Sequence, residues 1–204
     1  MGAAAPATAR SLAPGQPLRT LAPLANAGGG PGLFSASLVA SPASLALVEG
    51  APTTLWLYNG AFPGPVIDVR EGDRVRVALE NRLALDTTVH WHGLPVPADQ
   101  DGNPMDPVPP GATRVYEFDV PAGTAGTYWY HPHAHGTTAE QVSMGLAAPF
   151  IVRAADDPLA RFPEVTMLVT GLRLGAGGQV SPNGPMDIAV GRQGEMLLVN
   201  GGRV

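Results

Sequence analysis

Between Asn59 and Gly123 the chain is cut into short pieces by turn-forming residues: Asn59-Gly60, Pro63-Gly64, Glu71-Gly72-Asp73, Asp101-Gly102, Pro109-Pro110-Gly111 and Ala122-Gly123. Such punctuation favours short strands over long helices. The pieces between the turns alternate as strands do. In Asp73 to Glu80, Val75, Val77 and Leu79 share one face while Arg74, Arg76 and Glu80 meet water. The run 114–120 repeats the pattern, with Tyr116, Phe118 and Val120 on one side and Val115, Glu117 and Asp119 on the other. Further strand-like runs are 38–48, 53–58, 66–70, 87–91, 127–131 and 148–152. About eight short strands with no 3.6-residue periodicity predict an all-β fold, an antiparallel sandwich or barrel. A chain of 204 residues with 45% apolar side chains can fill the core of such a domain, and its 26 Gly and 22 Pro fit a loop-rich β architecture.

The two ends read differently. Residues 1–36 are rich in Ala, Pro and Gly, and Pro interrupts every candidate element, so a flexible leader is expected there. They lack the basic start and unbroken apolar stretch of a secretory signal. The folded unit is expected over 37–155. From residue 156 a new set of strands begins, at 165–169 and 196–199 with a Gly-rich turn at 175–178 between them. So few strands cannot bury a core of their own, and 156–204 reads as the opening of a second domain.

Composition excludes several functions. The 12 basic residues are all Arg, scattered among 17 acids for a net charge of −5, which makes nucleic acid an unfavoured partner. Without Cys there is no disulfide framework, no thiolate metal site and no thiol nucleophile. No apolar run approaches the roughly 18 to 20 residues of a membrane-spanning helix.

All five His fall in two short motifs, His90-Trp91-His92-Gly93 and His131-Pro132-His133-Ala134-His135-Gly136. Residues i and i+2 of a strand point the same way, so each His-x-His pair presents two imidazoles on one face. Two such pairs on neighbouring strands would gather four rings around one small volume. Uncoordinated imidazoles packed together lose solvation and repel when protonated, so metal ligation by His90, His92, His131 and His133 is the expectation. Copper, zinc, iron and nickel all suit neutral imidazole, and the residues alone do not choose among them. Pro132 has no N–H to give a sheet, which predicts an edge or bulge beside the rings. Trp91, Trp129 and Tyr130 are expected to wall the site. Asp101, nine residues after His92, is placed to return over the cluster and relay protons or orient water, although from the residues alone an Asp-Gly turn is the favoured reading.

Taken together, Tyr58-Asn59-Gly60-Ala61-Phe62-Pro63-Gly64-Pro65, Glu71-Gly72-Asp73, His90-Trp91-His92-Gly93-Leu94, Asp101-Gly102, Val108-Pro109-Pro110-Gly111 and Thr127 to Gly136 resemble, in order and spacing, the N-terminal cupredoxin domain of multicopper oxidases. The form of the second His motif and the following Gln141-Val142-Ser143-Met144-Gly145-Leu146 are similar to the bacterial laccase-like and copper-efflux members. The later Leu197 to Gly201 resembles the start of the family's second domain. The resemblance implies a Greek-key cupredoxin sandwich followed by an incomplete second cupredoxin domain. It also implies copper as cofactor, in a trinuclear cluster that reduces dioxygen to water with electrons from a phenol or a metal ion. By motif position His90 resembles the type 2 copper ligand, His92, His131 and His133 the ligands of the type 3 pair, and Asp101 the acid that assists proton delivery. His135 is not among the ligands the resemblance implies. The family's bacterial members imply a periplasmic or secreted location.

The same resemblance exposes what is missing. Four further cluster His and the Cys-bearing type 1 copper site belong to a C-terminal domain, so this chain is expected to need that domain or another chain and to be inactive alone. The alternative is a copper-binding cupredoxin module without catalysis. A mononuclear cupin-type site also uses His-x-His on a strand, but adds a Glu shortly afterwards that 93–98 does not contain.

Overall fold

The structure is a computed structural model and describes residues 13–48 and 52–203. Two four-stranded sheets face each other. One holds β2 (Thr53–Tyr58), β1 (Leu33–Leu45), β4 (Arg74–Asn81) and β6 (Thr113–Asp119) in that order. The other holds β3 (Ile67–Arg70), β8 (Ala148–Arg153), β7 (Gly126–His131) and β5 (His90–His92). The alternation expected of 73–80 and 114–120 is what closes the sandwich: Val75, Val77 and Leu79 are fully buried in one core with Tyr116 and Phe118 of the adjoining strand and Val120 just beyond it. From the opposite sheet Ile67, Val69, Trp91, Tyr130, Phe150 and Val152 enter the same core. Burying a side chain of this size stabilises by about 1.5 to 3 kcal/mol, so this layer dominates the stability of the unit.

The pairing is not wholly antiparallel, and here the sequence reading is corrected. β1 runs parallel to β4, with Leu33 opposite Arg74 and Ala40 opposite Asn81, and β3 runs parallel to β8. Alternation tells which face a residue takes; it carries no information on the direction of a partner that arrives from far along the chain.

β1 is 13 residues long and changes partner midway. Residues 33–40 pair with β4, and from Ala40 onward the strand pairs with β2 alone. Pro42 therefore sits where one side of the strand has no ladder to lose. Even-numbered side chains such as Phe34, Ala36 and Leu38 enter the sandwich, while Leu45 and Leu47 face the other way and join Leu55, Leu57, Phe62, Leu172 and Leu198 in a second cluster.

That second cluster lies under β9 (Val169–Leu172) and β10 (Met196–Val199), an antiparallel pair linked through α2 (Pro185–Val190). The expected strand at 165–169 thus begins only at Val169, and α2 was not foreseen. Its apolar residues Met186, Ile188 and Val190 are exposed, so it carries no amphipathic signal to read.

The expected leader also differs. β1 starts inside it at Leu33, Leu24 is buried in the main core, and Leu24 N–H donates to Val66 O while Val66 N–H donates to Ala22 O. Proline and glycine forbid long regular elements there but leave an extended strap free to pair. Residues 1–12 of that expectation lie outside the described residues. No helix among the described residues is long and apolar enough to cross a membrane.

Candidate metal centre

The two His motifs meet at one sheet edge. β5 pairs antiparallel with β7, bringing His90 opposite His131, Trp91 opposite Tyr130 and His92 opposite Trp129. Trp91 points into the core, where its ring lies 5.3 to 5.9 Å from Tyr116, Phe118, Tyr130 and Phe150 and its indole N–H donates to Gln100 O. With Trp91 locked inward, His90 and His92 point outward by the pleat alone.

The rings converge. Centroids of His90 and His92 are 5.5 Å apart, His90 and His131 5.4 Å, His90 and His133 5.1 Å, and His92 and His131 5.4 Å. One ligating nitrogen from each of His90, His92 and His131 lies within 4.8 Å of the others. His133 stands 6.1 Å from His131, so that these two rings and His90 form a rough triangle. His135 is exposed and is one ring further out, 6.1 Å from His133.

Neighbouring acceptors fix the tautomers. His131 Nδ1 lies 2.8 Å from Pro132 O, which can only accept, so Nδ1 carries the proton and Nε2 the lone pair. His90 Nδ1 lies 3.0 Å from both the backbone O and Oδ1 of Asp101, and by the same logic presents Nε2. His131 Nε2 in turn faces His92 Nδ1 at 3.1 Å, and His133 Nδ1 is buried with no protein partner. The lone pairs that His90 and His131 keep on Nε2, together with a buried His133 ring nitrogen that no protein group satisfies, fit a bound cation of the imidazole-loving kind, copper included. Burial, followed by repulsion from His90, His92 and His133, pulls the His131 pKa down to about 4, which keeps this ring neutral and able to ligate.

Asp101 does return to the cluster. Its position is set by a loop pinned at several points: Gln100 O accepts from Trp91, Gln100 Oε1 accepts from Glu117 N–H, and Arg114 donates to Asp99 O. Gly102 has φ of 66°, and a Cβ there would lie 2.0 Å from Val89 O, so only glycine lets the loop press this closely on the strand carrying His90. The turn and the contact with His90 are therefore one feature. Trp129, partly exposed, stacks on His131 at 4.0 Å and lies beside His92 at 4.9 Å, shielding the buried His131 while His92 stays exposed, whereas Trp91 and Tyr130 belong to the core behind the site.

Polar residues that the sequence reading gave no role lie beneath the cluster. Gln141, the buried residue of α1 (Thr138–Ser143), is fully enclosed: Oε1 accepts from Thr87 Oγ1 and Nε2 donates to Asp86 O and Thr137 Oγ1. Thr88 Oγ1 accepts the His133 N–H at 2.8 Å. Gln141 stands in the quoted motif, but its partners Asp86 and Thr87, 55 and 54 residues away, leave no trace in local sequence.

A family model described as multicopper oxidase matches residues 41–157, more than half of the chain. The chain belongs to the multicopper oxidase family. A multicopper oxidase of Staphylococcus aureus is 38% identical over 107 residues, covering 52% of this chain and 23% of that protein. A copper resistance protein A homologue of Pseudomonas syringae is 35% identical over 127 residues, covering 60% and 20%. Among solved structures, the multicopper oxidase of Campylobacter jejuni, described as a metallo-oxidase, superimposes with a TM-score of 0.89 at 40% identity over 95% of this chain and 40% of its own. The fold is thus that of a multicopper oxidase cupredoxin domain, and the chain spans about a fifth of the length of these curated relatives.

Proposed function

We propose that this chain is the N-terminal part of a copper-dependent oxidase and that His90, His92, His131 and His133 are half of the His ligands of a trinuclear copper cluster. His90 serves the type 2 copper and the other three the type 3 pair. The observation that carries the reading is the convergence of four imidazoles from two motifs, with the tautomers of His90 and His131 set by oxygens behind them. The chemistry supplied there by bound copper is one-electron transfer, four of which take dioxygen to water while a phenol or metal ion is oxidised.

The protein's own residues orient and protect. Pro132 O holds the His131 proton on Nδ1, and burial keeps a second proton off Nε2 at neutral pH. Asp101 accepts from His90 Nδ1 while a third of its side chain remains open to solvent, so it touches both the site and the water from which protons come. Trp129 excludes water from the outer side of His131. Electron entry belongs to a type 1 copper that a chain without Cys cannot hold, so a C-terminal cupredoxin domain or another chain completes the enzyme. Residues 156–204 are the beginning of a second cupredoxin domain in this reading. Supporting it, Asn200-Gly201 after β10 repeats the left-handed Asn59-Gly60 turn after β2, with φ of 50° and 51° at the two Asn.

Copper analysis of the purified chain, with its EPR spectrum, tests the site. Substoichiometric binding lost in His90→Ala and His131→Ala is expected, together with abolished oxygen consumption when either change is placed in the completed enzyme. Full activity of either variant there would sink the assignment.

A further inference from the structure

Three of the four ligand positions are set by backbone pairing, and the fourth is not. The β5–β7 ladder fixes His90, His92 and His131, but it ends at His131 because Pro132 has no N–H with which to continue. His133 lies beyond the last strand residue, and its ring is the one outside the compact group of three.

Its position comes from buried side chains instead. His133 N–H donates to Thr88 Oγ1. The segment that follows His133 folds back through Thr137 O, which accepts from Gln141 N–H, and Gln141 uses its whole amide on Asp86 O, Thr87 Oγ1 and Thr137 Oγ1 at 2.7 to 2.9 Å. Thr87, Thr88 and Gln141 have no exposed surface. Both tethers end on residues 86–88, the stretch that leads directly into His90. The separation of the second His pair from the first is therefore written in a polar clamp under the site.

We infer that Gln141, with Thr88, is a positioning residue for copper that holds His133 in ligand range of His90. This rests on the proposed copper site and adds to it a determinant that touches no metal. Were the clamp only a packing device, its loss would lower stability without choosing among the four His. As a positioning device, its loss frees His133 alone.

The experiment uses the chain in metal-free and copper-titrated form, with Gln141→Met keeping the volume and removing all three amide bonds. In the metal-free protein the His133 amide is expected to exchange with deuterium about ten-fold faster, while the amides of Trp91 and Tyr130 keep their protection. In competition with a chelator, Cu(II) affinity is expected to fall about ten-fold, with fewer coupled nitrogens in the EPR spectrum. The deciding measurement is a double-mutant cycle: His133→Ala weakens copper binding in the wild-type chain but adds less than about two-fold in the Gln141→Met background, whereas His131→Ala costs the same in both. Val77→Ala, a core change in the opposite sheet with a comparable fall in melting temperature, is expected to leave affinity and cycle unchanged. Thr88→Val, which removes one hydroxyl, gives a second route should Gln141→Met fail to fold. Wild-type copper affinity in Gln141→Met, or full additivity with His133→Ala, overturns the inference while leaving the copper site standing. A wild-type chain that takes no copper overturns the site reading and the inference together, and unaltered His133 exchange in Gln141→Met separately refutes the clamp.

Discussion

The two Asn–Gly turns use one device in opposite surroundings. After β2, exposed Asn59 accepts Val39 N–H on Oδ1 and donates from Nδ2 to Ser37 O, stitching the turn to β1. After β10, buried Asn200 accepts Leu168 N–H in the same way and donates to Thr166 O and to Arg19 O of the N-terminal strap. The strands behind them differ more. β2 is covered on both sides, with Tyr58 in the sandwich core and Leu55 and Leu57 under β9 and β10. β10 is covered on one side only: Leu198 is buried, while Leu197 is 68% exposed beside Val169 at 56%. Local chemistry dictates a turn, and how many layers cover the hairpin is decided elsewhere.

The contrast is broken most severely from the core side. Trp91→Ala removes a side chain that is 1% exposed and touches four aromatic rings, and is expected to cost about 3 to 5 kcal/mol, read as a large fall in the urea midpoint of the sandwich.

Acid is expected to act on the sandwich next most strongly. His131 binds a proton less readily folded than unfolded, so stability is complete above 6.5 and falls as pH drops toward about 4. The loss approaches roughly 3 kcal/mol in metal-free protein, and His131→Gln should flatten that part of the stability profile.

Smaller again is the effect of the turns. Asn200→Ala leaves part-buried backbone groups at Leu168, Thr166 and Arg19 without these partners and is expected to cost about 2 kcal/mol. Asn59→Ala, at the surface, costs about 1 kcal/mol. Amide exchange localises the difference: the first opens 166–200 while the sandwich stays protected, and the second loosens Val39. The smallest effect is at Leu197→Ser, expected to stay within about 0.5 kcal/mol by thermal melting. A larger loss would mean that this face is covered.

The same contrast explains what could be read from sequence. Val75, Val77 and Leu79 announce a face by alternation, and two His-x-His motifs announce that their rings will gather at one sheet edge. Gly102 was legible as a turn but not as the close contact that sets Asp101 against His90, since Val89 O arrives from another strand. Gln141 was illegible as a clamp because a glutamine means nothing until its three partners are in place. Leu24 and the strap were misread for a related reason: prolines and glycines report where helices fail, and extended chain leaves no periodic mark.

β5 is three residues long and lies at the margin of its sheet, paired on one side only. Margins of that kind open by local fluctuation at a free energy below that of global unfolding. Here the middle residue opposes that fraying: Trp91 is buried among four aromatic rings, so His90 and His92 are moored to the sandwich by the side chain between them as much as by a ladder of three pairs.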